Sequence, residues 1–239
     1  MRTVWTIARR EFAAYFVSPI AYVVAAILLF VLGLRFNFLQ LPLQAEYASP
    51  KYFVDDMSFV SFLVVPALTM RLLAEERRSR TLELLMSAPV REGEVVAGKY
   101  LAGLGFYLVL VLLGSIYPLI LFLFGNPDPR ALWTGYLGIL LFGGALVAVG
   151  TLGSSLTQNQ IVAFIVSFGM LAVLWVVDLP AELVDPRVGE LLRSISITGH
   201  LEGFGQGIVD TRHVVYYLSV IALALFLATR ALEGRRQSG

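Results

Sequence analysis

Between Ala131 and Val177 no residue carries a formal charge. As one continuous helix this stretch would reach about 70 Å, more than twice the ~30 Å thickness of bilayer hydrocarbon, so it has to double back. The polar cluster Ser154-Ser155-Leu156-Thr157-Gln158-Asn159-Gln160 is the place for the reversal, which divides the stretch into two membrane passes. The rest of the chain agrees in composition. It is 58% hydrophobic and 15% charged, with mean hydropathy +0.78. Soluble domains stay near half apolar and a quarter charged, so this is a membrane protein.

The hydropathy pattern predicts an all-α membrane protein, a single domain over 1–239, with spans at about 20–39, 57–74, 100–124, 132–154, 161–177 and 214–230. Pro19 suits the first turn of the first span, Arg35 near its far end has the reach to snorkel to headgroups, and Pro66 and Pro118 are expected to kink the second and third. In the fourth span Gly143, Gly144, Ala148, Gly150 and Ser154 include the small-xxx-small pairs Gly144/Ala148 and Gly150/Ser154, which allow close approach of another helix. The turn GNPDPR, 125–130, separates spans three and four. The external segment 178–213 is polar but keeps Leu183, Val188, Leu191, Leu192, Ile195 and Ile197 for the membrane surface, and the sixth span is short.

Residues 2–18 are amphipathic: Val4, Ile7, Ala8, Phe12, Tyr15 and Phe16 recur at helical spacing, opposed by Arg9, Arg10 and Glu11. That pattern fits a helix lying in the membrane interface with its arginines toward anionic headgroups, and it fits equally a positive flank of the first span. No small-residue cleavage site follows a short apolar core, so no removable signal peptide is expected. With alternating sides, twelve Lys and Arg fall on the side of both termini and of residues 71–99, against six on the other. The positive-inside rule then places both termini in the cytoplasm.

Several chemistries lack their residues. There is no cysteine, so no disulfide, thiolate metal site or cysteine nucleophile. His200 and His213 have no metal-ligand spacing, and they read as surface or interfacial residues. A net charge of +1 without a basic, aromatic-interleaved stripe argues against nucleic acid. A membrane enzyme would gather ionisable groups within the bilayer, whereas Arg35, Arg71 and Asp178 all lie near span ends. An ion-coupled carrier or channel would want midplane ions or protonatable groups in broken helices; Pro66 and Pro118 alone, without an internal repeat, are weak support.

The stretch from Arg71 to Lys99, RLLAEERRSRTLELLMSAPVREGEVVAGK, is the long charged segment between two apolar runs. Leu72, Leu73, Leu82, Leu84 and Leu85 oppose Glu75, Glu76, Arg77, Arg78 and Arg80 at helical spacing, and Pro89 ends the pattern. On pattern alone it is a solvated loop that sets topology. Its residue order is more specific. Glu75-Glu76, Thr81-Leu82-Glu83-Leu84-Leu85, Pro89-Val90 and Gly98-Lys99 resemble the cytoplasmic loop of the permease subunits of type-2 ABC exporters, with Arg80 departing from the glycine many members have there. The amphipathic N-terminal helix, the six spans and the external excursion before the sixth are similar to the same family. SPIAY at 18–22, Thr157-Gln158-Asn159-Gln160 and Gly207-Ile208-Val209-Asp210 look like its gliding-motility and nitrous-oxide-reductase-maturation subgroup.

The resemblance implies that the 75–99 loop forms a coupling helix docking on a separate cytoplasmic ATPase subunit, through Glu75, Glu76, Arg80, Thr81, Glu83 and Leu84, with Arg91 on the rim. It implies re-entrant helices at the outer leaflet within 179–213. It further implies a second permease copy or paralogue, lipid contact through the interfacial helix (Arg9, Arg10, Phe12), a periplasmic or membrane accessory protein, and a bacterial inner-membrane location. GxxxxGK[ST] is absent from the chain, so no nucleotide site and no cofactor is expected in it, ATP and Mg belonging to the partner subunit. The same fold used for mechanical work on a membrane or periplasmic partner, without cargo, stays open.

Overall fold

A computed structural model describes residues 2–40, 50–78, 91–124 and 128–236. An amphipathic helix α1 (Arg2–Val17) meets α2 (Pro19–Arg35) at Ser18, with Pro19 in the first turn, where its missing N–H costs nothing. A π-helical turn (Phe36–Gln40) closes α2. α3 (Pro50–Thr69) and α4 (Arg71–Arg78) form the second membrane pass, parted by a turn at Met70. α5 (Glu92–Gly114) and α6 (Ile116–Phe124) form the third. Their break falls at Ser115, three residues before Pro118, whose ring removes the N–H that would bond Gly114. α7 (Pro129–Ser155), α8 (Gln160–Val176) and α11 (Thr211–Arg236) are the remaining passes.

Six helical segments of the described residues are long and apolar enough to cross a membrane: 19–38, 51–78, 92–123, 129–155, 160–181 and 211–234. No strand occurs among the described residues. The boundaries move where polar residues continue a helix. The third pass starts at Glu92 because Glu94 accepts from the Arg91 N–H (3.2 Å) and caps the helix there. The sixth is 24 residues long, not short, since Asp210 takes the Arg212 N–H at 2.8 Å. The reversal near 157–160 is a cap too, with Asn159 Oδ1 accepting from Ile161 N at 2.9 Å.

α7 is the central helix. Of its most apolar window 78% is buried, against 17% for the fifth and sixth passes. Its small residues do not form one stripe against one partner. A Cβ on Gly143 would overlap the Tyr107 ring of α5, one on Gly150 the Thr69 side chain of α3, one on Gly153 the Ser167 side chain of α8. Gly144 faces Ile221 of α11 and Tyr100 of α5, each 3.3 Å from an added Cβ, and Ala148 is fully buried. Small residues on all sides let four helices approach one.

Arg35 finds a partner on the second pass. Asp56 of α3 supplies a carboxylate for an ion pair, and the guanidinium lies 5.5 Å from the Phe59 ring centre. The segment after α8 holds a short 3-10 turn (Leu179–Glu182), α9 (Pro186–Ile195) and α10 (Glu202–Gly205). Leu183, Val188, Leu191 and Ile195 are exposed, whereas Ile197 is buried with Leu201 and Phe204. Ile197 N donates to Leu174 O (3.0 Å), Tyr217 Oη to Ile197 O (2.8 Å) and Thr134 Oγ1 to Phe204 O (2.8 Å), so the segment returns into the bundle.

The two histidines meet there. His200 stacks on Tyr216 with ring centres 3.8 Å apart, His213 lies edge-on at 5.1 Å, and His200 Nδ1 is 2.8 Å from Ser196 O. Burial lowers the His200 pKa, the Ser196 carbonyl raises it and His213 lowers it, for a net depression below the ordinary value. The folded state therefore binds this proton less readily than the unfolded chain. The stability His200 contributes is present above its ordinary pKa, about 6.5, and is lost as pH falls through the depressed value. Amide protection factors of residues 196–213, corrected for the intrinsic exchange rate, should fall as pH drops below about 6.5. His200→Gln should flatten that pH dependence; an unchanged slope would place the proton elsewhere.

Candidate functional site

The polar end of α3, α4 and α5 is where the charged stretch leaves and rejoins the bundle. α4 buries Leu72, Leu73 and Ala74 and leaves Glu75 and Arg78 exposed, with Glu76 and Arg77 half-buried. This follows its sequence: three apolar residues, then EERR. Residues 79–90, and with them the expected contact positions Arg80, Thr81, Glu83 and Leu84, lie outside the described residues. Arg91 is exposed where the chain resumes.

A helix start leaves N–H groups without partners inside its own helix. α4 has no capping side chain of its own, because Met70 precedes it. Ser154, at the far end of α7, supplies the cap from another helix. Its Oγ accepts from Leu73 N (3.0 Å) and Ala74 N (3.1 Å) and donates to Met70 O (2.9 Å). Ser154 was singled out in the sequence for its size; its hydroxyl does the more specific thing. Gly150, one turn earlier, admits Thr69, whose Oγ1 bonds back to Val65 O at 2.9 Å.

α1 lies along α5. Ala8 and Tyr15 are buried, and Ile7 and Phe12 press on Gly98 and Gly105, where an added Cβ would come within 2.8 Å of Ile7 and 3.2 Å of Phe12. The apolar face of α1 thus packs on protein, while Arg9 and Arg10 are exposed beside Trp5. Glu11 parts from those arginines and turns inward. Tyr15 Oη donates to Leu68 O (3.2 Å), and Arg71 stands 4.6 Å over the Tyr15 ring while donating to Ala14 O (3.4 Å).

Lys99 joins these pieces. Its side chain is 1% exposed, and its Nζ lies 2.9 Å from Glu76 Oε1 and 3.5 Å from Glu11 Oε2. A buried cation is tolerated only with such partners. Below it a satellite apolar cluster of Leu73, Val95, Val96, Ala228 and Leu232 fastens α4 and α5 to the end of α11. Of the expected contact residues the structure brings Glu76 into this network and leaves Glu75 and Arg91 at its surface. Lys99 and Glu11 were not singled out as site residues; the one signal was a lone lysine inside the apolar run VVAGKYLAGL. Among the described residues no group of three or more His, Asp or Glu is placed to hold a metal.

Six apolar passes, packed on a central small-residue helix and carrying a charged stretch at one end, define a multi-pass membrane protein. Residues 36–184, from the end of the first pass through the fifth, match the family described as ABC-2 family transporter protein, and the chain belongs to that family. It is therefore a permease component of an ABC transporter, and membership implies partnership with a cytoplasmic ABC ATPase. No curated protein matches the chain.

Proposed function

We propose that this chain couples ATP hydrolysis on a separate cytoplasmic ATPase subunit to export, or to movement within the membrane, of a substrate. The 71–99 stretch is the coupling element, with both termini on its side of a bacterial inner membrane. Two permease halves, identical or paralogous, would enclose the path. The chain itself is not an enzyme: it binds no nucleotide, and ATP and Mg sit on the partner. The gliding-motility and nitrous-oxide-reductase-maturation subgroup is the branch its SPIAY and Thr157–Gln160 stretches favour.

The observation that carries this reading is the anchoring of the coupling stretch at both ends. At its start, α4 is capped by Ser154 and paired through Glu76; at its end, α5 begins at a capped Glu92 turn and holds Lys99. Force on the stretch between them reaches α3, α5, α7 and α1 through buried bonds, which is what a two-state transmission element requires.

Purification from membranes with its soluble partner, followed by ATPase assay in lipid, tests the proposal. A co-eluting ATPase, more active in the complex than alone, is expected. Glu83→Ala combined with Leu84→Ala should lower stimulation at least about tenfold while leaving membrane insertion intact. Unchanged association and stimulation would remove the stretch from the coupling role. A stimulated ATPase without transport of any amphiphile would move weight to mechanical work.

A further inference from the structure

Lys99 sits where three elements meet and shares one ammonium between two carboxylates. Glu76 belongs to α4, at the start of the coupling stretch; Glu11 belongs to α1, outside that stretch. Among the described residues the Lys99 ammonium faces two carboxylates, at 2.9 and 3.5 Å, on separate helices, so the nearer bond and the looser one share the same group. A lysine suits this. Its ammonium is a compact charge on a flexible stem with three donors, free to lean toward either partner, where an arginine fork would commit to one plane. The surroundings hold the stem in place. Gly98 is pressed by Ile7 and by the Val4 carbonyl, and Gly103 by Val147 and Leu72.

We propose that Lys99 is a positioning residue for coupling, and that it makes the interfacial helix α1 a moving part of the coupling assembly. A shift of the end of α4 alters the Lys99–Glu76 distance, and the ammonium redistributes toward Glu11, so α1 and α5 respond together. Among the described residues α1 is also attached by apolar contacts with α5 and by the Tyr15–Leu68 and Arg71–Ala14 bonds near its C-terminal end. The Lys99–Glu11 pair is a charged tie on the N-terminal side of those two bonds. The outer face of α1, with Arg9 and Arg10, carries the motion to the membrane surface. This deepens the proposed function and rests on it.

The test uses the assembled complex in lipid and, separately, the permease alone. Glu11→Gln, which lies outside the coupling stretch, should reduce stimulated ATP turnover about fivefold, and Lys99→Met by about tenfold or more. The amount of bound ATPase and the KM for ATP should stay as in wild type. Lys99→Arg, which keeps the charge but commits it to one plane, should recover less than half of the turnover lost in Lys99→Met. In the permease alone, amide exchange of residues 2–17 should accelerate in Glu11→Gln and Lys99→Met while α7 keeps its protection. Wild-type turnover with wild-type exchange of α1 in Glu11→Gln overturns the proposal, and so does a loss of turnover that merely tracks loss of bound ATPase. Should Lys99→Met fail to fold, Glu11→Gln decides. Should no ATPase assemble even with wild type, the proposed function falls, and the exchange of α1 still decides whether Lys99 ties it.

Discussion

Gly143→Leu is expected to leave no monodisperse protein after extraction, and Gly143→Ala to cost about 3 kcal/mol, at the upper end of overpacking penalties. The position faces the Tyr107 ring, which is fully buried and cannot swing away. Its hydroxyl is 3.1 Å from Ser61 Oγ and 3.2 Å from Ile139 O, and Ser61 Oγ bonds Met57 O. Displacing the ring would break a bond to α7 itself and another to α3. Gly169 is the contrast. It too lies inside a helix, but nothing stands within 4 Å of an added Cβ. Gly169→Ala should therefore be neutral or stabilising by up to about 1 kcal/mol, the ordinary helix-propensity gain. Thermal unfolding in detergent, followed by size-exclusion fluorescence, reads both. Equal effects at the two glycines would mean that α7 and α5 do not meet through Gly143.

The second large effect falls on Ser154. Ser154→Ala removes the hydroxyl without adding bulk, so the N–H groups of Leu73 and Ala74 and the carbonyl of Met70 lose their partner together. Buried groups left unpaired cost about 1–3 kcal/mol each, so a loss of about 3 kcal/mol is expected once partial relaxation is allowed for. Ser155 is equally buried, yet its hydroxyl bonds only to Leu152 O in its own helix (2.7 Å). Ser155→Ala should cost less than about 1 kcal/mol. Amide exchange locates the effect: the first turn of α4 should open in Ser154→Ala alone. Comparable opening in both variants would show that Ser154 is there for its size and not as a cap.

Much of the architecture was legible residue by residue. The uncharged run from Ala131 to Val177, its polar reversal and the other apolar runs determine the number of passes. In hydrocarbon every backbone group must bond within its own segment, so length and apolarity suffice to declare a helix. The charged stretch and its place after the second pass were likewise readable, and the family match over 36–184 agrees with them.

Only the tertiary structure decided which helix stands at the centre and what each small residue of α7 faces. The same holds for Arg35 finding Asp56, for Ile197 turning into the bundle, and for Glu11 turning toward Lys99 rather than remaining beside Arg9 and Arg10. Hydropathy is a property of single residues and their near neighbours, whereas these are pairings between distant ones. Ser154 lies 81 positions from Leu73, and Tyr15 lies 53 from Leu68. A serine among glycines reads as a small residue, and a lysine at the head of an apolar run reads as a topology signal. Until the helices are packed, nothing distinguishes either from a cap or a buried tie, because the groups that make them so are supplied by other helices.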